Sequence, residues 1–111
     1  MKKVNKGDIY LVNLDPTIGN EINKTRPGLI VSNNIGNNNS NIVIIAPISS
    51  NTKNVYPFNI LLKTELKKPS KVLLEQVRCI DKKRLVKYLT SISDKKINDV
   101  NKALKIVFEL D

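Results

Sequence analysis

Short apolar runs, each closed off by turn-forming residues, leave this chain little choice of fold. They are GDIYLVNL (7–14), LIVSNN (29–34), NIVIIAPI (41–48), FNILLK (58–63) and VLLEQVRCI (72–80). Runs of this length built from Ile, Val and Leu suit strands. In the first, Ile9 and Leu11 share one face and Tyr10 and Val12 the other. The third is almost continuously apolar, which predicts a strand covered on both faces, with Pro47 at its end or at an edge position. The fifth reads as one long strand or as two joined by a bend. The polar tract NNIGNNNSN (33–41) reads as a turn or exposed loop.

Two segments carry helical signals. DKKRLVKYL (81–89) reads as a short helix or helical turn with Asp81 as its N-cap. Ser93 or Asp94 then opens the strongest helix in the chain: Ile97, Val100, Leu104 and Val107 recur on one face, and Ala103 and Ile106 widen it. The expected fold is mainly β with α, an antiparallel and strongly curved sheet with a C-terminal helix packed on it. With 111 residues, no repeat and no linker-like stretch, residues 1–111 are expected to form one domain.

Composition narrows the chemistry. Five aromatics and no Trp leave the core to Ile, Leu and Val. The single cysteine, Cys79, excludes an internal disulfide, and its place in the alternating QVRCID predicts a buried reduced thiol. The chain contains no histidine, so a Cys–His nucleophile, the usual proton shuttle and the commonest zinc ligand are all missing. Chemistry must run on carboxylates, hydroxyls, Arg and Lys, with no metal or cofactor expected. No apolar stretch approaches a membrane span, and MKKVNKGD has no apolar region after its lysines, so a soluble cytoplasmic protein is expected. The net charge of +9 implies a polyanionic partner. A genome rich in A and T would explain Lys over Arg, but not the shortage of Asp and Glu.

The connection from Asp15 to Pro27 has no periodic pattern, and connections of its length are usually functional or disordered. Pro16 and Pro27 stiffen its two ends, and Pro27 holds Arg26 extended at the mouth of the second strand. Arg26, Arg78 and Arg84 are the only arginines among nineteen cationic residues. A guanidinium grips phosphate through a planar fork, which lysine cannot do. A structural ion pair with Glu21 explains Arg26 equally well on these grounds.

GDIY, LDPTIGNE, TRPGLIV, APISS and LLEQVRCIDKKRL, in this order and followed by a terminal helix, resemble the MazF/PemK (Kid) toxins of type II toxin–antitoxin modules. The resemblance covers nearly the whole chain. It implies an SH3-like barrel of antiparallel strands, a fold shared with the gyrase poison CcdB. It also implies a homodimer and metal-independent cleavage of single-stranded RNA, mRNA in particular. The 2′-hydroxyl would be the nucleophile, leaving a 2′,3′-cyclic phosphate (or 3′-phosphate) and a 5′-hydroxyl. The partners implied are RNA and a cognate acidic antitoxin, with DNA reached only through the antitoxin.

Carried over by position, the arginine of the family's RP motif falls on Arg26, as a donor to the phosphate. The family's threonine after the third strand falls on Ser49, which keeps the hydroxyl, loses the methyl and would orient the phosphate or the 2′-hydroxyl, and Ser50 would share that task. A histidine present in some members is Asn20 here, so no imidazole scheme carries over. Glu75 matches a carboxylate used by some members and is a candidate base. It also reads as a partner for Arg78, itself a candidate for catalysis or RNA binding. Glu21 and Gln76 match positions that contact RNA bases or brace the loop. Tyr56 is placed to stack a base or to pack, whereas Phe58 is expected to pack in the core or dimer. Asp8 and Asp15 read as structural. The lysine runs at 67–71 and 82–84 read as solvated surface that adds a salt-dependent attraction to RNA.

Two rivals share the fold. A gyrase poison would end in Trp-Gly-Ile, whereas this chain ends FELD and has no Trp. A basic RNA-binding module without catalysis fits the composition, but Arg26 and Ser49 at matching positions favour the nuclease.

Overall fold

The structure is a computed structural model that describes residues 3–21 and 24–111. The strands are β1 (Asp8–Asn13), β2 (Thr25–Ile30), β3 (Ile42–Ser49), β4 (Asn59–Leu62), β5 (Ser70–Leu73), β6 (Arg78–Asp81) and β7 (Leu85–Ser91). Two helices, α1 (Asn34–Asn39) and α2 (Asp94–Val107), and short 3₁₀ turns at Leu74–Gln76 and Lys82–Arg84 complete the described chain. The strands form one antiparallel sheet in the order β4-β5-β3-β2-β1-β7, with β6 also paired to β3. Among the described residues no ladder joins β4 to β7, so the barrel implied by the resemblance is an open one.

β3 organises the sheet. Its one side meets β2 from Ile45 to Pro47; its other side meets β6 up to Ile45 and β5 from Ile48. Pro47, which has no N–H to give, falls where that second partner changes. β1 separates two apolar cores. Ile9 joins Leu29, Ile48, Val72 and the α2 residues Val100 and Ala103, whereas Tyr10 and Val12 join Ile30, Val43, Ile45 and Ile80.

Several elements depart from the sequence reading. The tract at 33–41 is not a loop: Asn33 caps a short helix by accepting from the Gly36 amide at 2.8 Å. Asn37 of that helix is buried, its side-chain amide donating to the Ser32 carbonyl at 2.9 Å. The helix predicted over 81–89 lasts one 3₁₀ turn. Asp81 does cap it, accepting from Lys83 N–H at 2.8 Å, but residues 85–91 are drawn into pairing with β1. β2 begins at Thr25, earlier than predicted, because residues 25–27 pair with β1 alone and Pro27 costs no bond on the β3 side. The run at 72–80 resolves into β5 and β6, joined by the 3₁₀ turn. Ser93 caps α2, whose Val100 and Ala103 are buried, but Ile106 is 51% exposed and lies off the packed face. Cys79 is exposed, not buried, because the alternation of β6 turns Ile80 inward. No helix among the described residues is long and apolar enough to cross a membrane.

Candidate active site

Arg26 lies within β2, opposite the buried Val12 of β1, so its backbone is fixed by a ladder and not by a loop. The half-buried side chain lines a cleft of about 420 Å³. Ser50, Glu65, Lys67, Lys68 and Ser70 supply its other polar groups, against an apolar lining of Pro27, Ile48, Leu66 and Leu89. A cleft holding a guanidinium, two hydroxyls and two ammonium groups against one carboxylate carries a cationic balance suited to a phosphodiester, with apolar surface for its sugar and base.

A second cleft, about 410 Å³, is lined by Asn20, Glu21, Pro47, Glu75, Gln76, Val77 and Arg78. Five of these, Asn20, Glu21, Glu75, Gln76 and Arg78, are candidates from the sequence, drawn together from the first loop, the turn after β5 and the start of β6. Pro27 belongs to the first cleft and Pro47, which pairs with Gly28, to the second, so both clefts border the β2–β3 ladder.

The candidates differ in what holds them. Ser49 ends β3, half-buried, and its Oγ accepts from Asn51 N–H at 3.1 Å. Ser50, exposed, lines the cleft with Arg26, as does the buried Ser70, whose Oγ donates to the Lys68 carbonyl at 3.0 Å. Glu21 Oε1 accepts from Ile18 N–H at 2.6 Å, which braces the loop. Glu75 Oε1 accepts from Asn59 Nδ2 at 3.0 Å, whereas Arg78 Nη1 donates to the Leu14 carbonyl at 3.1 Å. Tyr56, 52% exposed, stacks on Phe58 with ring centroids 5.4 Å apart and planes 9° from parallel. Asp8 and Asp15 are structural: Asp8 accepts from Asn5 N–H and Ser91 Oγ, and Asp15 from Lys24 N–H. Residues 22 and 23 of the 15–27 connection lie outside the described residues.

The lysine runs divide in the structure. Lys67 and Lys68 are exposed and line the rim of the first cleft. Lys71 Nζ donates to the Lys53 carbonyl at 2.8 Å and braces the loop before β4. Asn59, buried at the start of β4, has no motif around it, and nothing in the sequence distinguishes it from its neighbours.

The fold is a small, strongly cationic one with two polar clefts, Arg26 lining the first and Arg78 the second. Residues 5–108 match the family described as PemK-like, MazF-like toxin of type II toxin–antitoxin system, and the chain belongs to that family. It is 42% identical over 105 residues to the Endoribonuclease MazF of Staphylococcus saprophyticus, across 91% of this chain and 88% of that protein. Among solved structures it is similar to MazF (Form-I) from Deinococcus radiodurans, with a TM-score of 0.87 at 23% identity over 99% of this chain and 100% of that one. It is also similar to a mycobacterial endoribonuclease in complex with its cognate antitoxin, with a TM-score of 0.80 at 22% identity over 100% and 98% of the two chains. At those identities the two structures establish the fold.

Proposed function

We propose that this protein is an endoribonuclease toxin that cuts single-stranded RNA without a metal and is held in check by a cognate acidic antitoxin. The observation that carries the reading is the placement of Arg26 on a paired strand, lining a cleft with Ser50, Lys67 and Lys68. The family and the 42% identical relative support an enzyme over a gyrase poison.

The RNA brings its own nucleophile. Its 2′-hydroxyl oxygen bonds to the adjacent phosphorus, the bond from phosphorus to the 5′-oxygen breaks, and a 2′,3′-cyclic phosphate and a 5′-hydroxyl result. The proton leaving the 2′-hydroxyl goes to a base, and the 5′-oxygen gains one. Such a reaction needs no metal to generate its attacking group. It needs charge stabilisation as the phosphorane forms, which Arg26 supplies through its fork of N–H donors. Ser50 orients the phosphate, and Ser49 sets the turn that presents it. Asn20, Glu21, Gln76 and Glu75 in the second cleft hold and read bases, Glu75 being also the candidate acceptor for the 2′-hydroxyl proton.

The test uses a long single-stranded RNA incubated with the protein and a chelator, with 5′ ends mapped by primer extension. Discrete cuts with 5′-hydroxyl ends are expected, and a 2′-deoxy substitution at the cut nucleotide should abolish that cut alone. RNA that is bound but left intact would make the protein a binding module. Cutting at the 2′-deoxy position would refute the internal nucleophile.

A further inference from the structure

Asn59 belongs to neither cleft, yet its side chain joins two of the elements assigned to RNA. It is 6% exposed, and its polar atoms are all used. Oδ1 accepts from the Tyr56 N–H at 3.0 Å; Nδ2 donates to Glu75 Oε1 at 3.0 Å and lies 3.5 Å from the Val72 carbonyl. The Asn59 N–H closes the same turn on the Tyr56 carbonyl at 2.9 Å. Tyr56 is thereby fixed at both its backbone groups, one ring face on Phe58 and half its surface open. Glu75, an exposed side chain that would otherwise sample several rotamers, has one oxygen held and the other left for a ligand.

We infer that Asn59 is a positioning residue for nucleotide recognition: through one buried amide it locks the Tyr56 turn and the Glu75 carboxylate into a single unit that receives a base and reads its edge. The inference rests on the endoribonuclease reading. An amide suits the task because its separate oxygen and nitrogen accept from a backbone N–H and donate to a carboxylate at the same time. The Asn59 end of both bonds is buried, so breaking either leaves a polar atom there without its partner.

The experiment compares three variants with the wild type on one RNA whose cut sites have been mapped. Asn59→Asp keeps the acceptor for Tyr56 N–H but faces Glu75 with a second carboxylate, which turns that side chain away. It is expected to shift the base preference at the cut and to raise KM by about tenfold, the scale of one lost charge-assisted hydrogen bond. Asn59→Asp with Glu75→Gln restores the contact with donor and acceptor exchanged. The pair is expected to melt like the wild type and to bind 2′-deoxy analogues of the mapped site, which cannot be cut, with the base preference of Glu75→Gln alone. A purely structural role would lower Tm and the active fraction while leaving every cut site in place. That result, or effects of the two substitutions that simply add, would overturn the inference. RNA left uncut by the wild type would overturn the endoribonuclease reading itself.

Discussion

Two of the three arginines donate to backbone carbonyls at one spot, where β1 runs into the first loop. Arg78 Nη1 reaches the Leu14 carbonyl at 3.1 Å, and Arg84 Nη1 reaches those of Asn13, at 3.1 Å, and Asp15. Arg26 alone lines the first cleft. The fork is used structurally at 78 and 84, and on our account Arg26 uses it in catalysis from its place in the first cleft. Arg26→Lys should therefore retain the charge and still lose most activity, because a point charge cannot bridge two phosphate oxygens. Tyr10 gives a different kind of prediction. Its ring packs edge-on to Tyr88 at 5.6 Å, and among the described residues its buried hydroxyl has no hydrogen-bond partner. Burial first, then the nearby Asp8 and Tyr88, push its pKa above the ordinary tyrosine value of 10.0. The folded protein then holds this proton where the unfolded chain releases it, so stability is intact below that ordinary value and falls as pH rises above it. Tyr10→Phe should flatten this alkaline loss. It should be neutral or stabilising by up to about 1 kcal/mol at neutral pH, since the removed group makes no bond. Thermal melts across alkaline pH check both statements.

Among the elements, the junction of β1, β2 and α2 depends on Gly7. Its N–H donates to the Ile30 carbonyl, its carbonyl accepts from Ile92 N–H, and its φ is +94°. A Cβ there would stand 2.8 Å from Ile97 Cδ1. Gly7→Ala should cost about 2 kcal/mol, from backbone strain and the clash with α2, measured by urea denaturation. Losing the Ser93 cap, whose Oγ accepts from Lys96 N–H at 3.2 Å, should cost about 1 kcal/mol in Ser93→Ala by the same measurement. The elements also show what a sequence can and cannot disclose. β1, β3, β4 and α2 are legible because their periodicity agrees with their packing. Residues 85–91 carry exposed Val86 and Lys87 and half-buried Tyr88, a pattern that suits a helix as well as an edge strand; only pairing with β1 decides it. The tract at 33–41 is polar but for the exposed Ile35, so its helix is held by Asn33 and Asn37 hydrogen bonds that leave no apolar periodicity. At the site, Arg26 is marked by the RP motif, and Glu75 and Gln76 by resemblance. Asn59 is invisible, because its role exists only once β4 has been laid against β5.

The whole molecule carries a charge of +9, and its first cleft gathers Arg26, Lys67 and Lys68. If these three meet phosphates, log(kcat/KM) should fall linearly with log salt at a slope of about −2, and Lys67→Ala or Lys68→Ala should each reduce that slope by about 0.7. The same cations suit an acidic antitoxin tail. On our account a carboxylate of that tail occupies the phosphate position at Arg26, and Arg26→Ala should weaken antitoxin binding in a titration. Unchanged affinity would place the tail elsewhere. The most direct measurement is the single-turnover rate at one mapped RNA cut for the wild type and Arg26→Ala, with Tm recorded for both. Arg26 as the group that stabilises the transition state predicts a fall of about 100-fold or more with little change in Tm. A variant that is well folded and cuts the same bond at the wild-type rate would contradict the account.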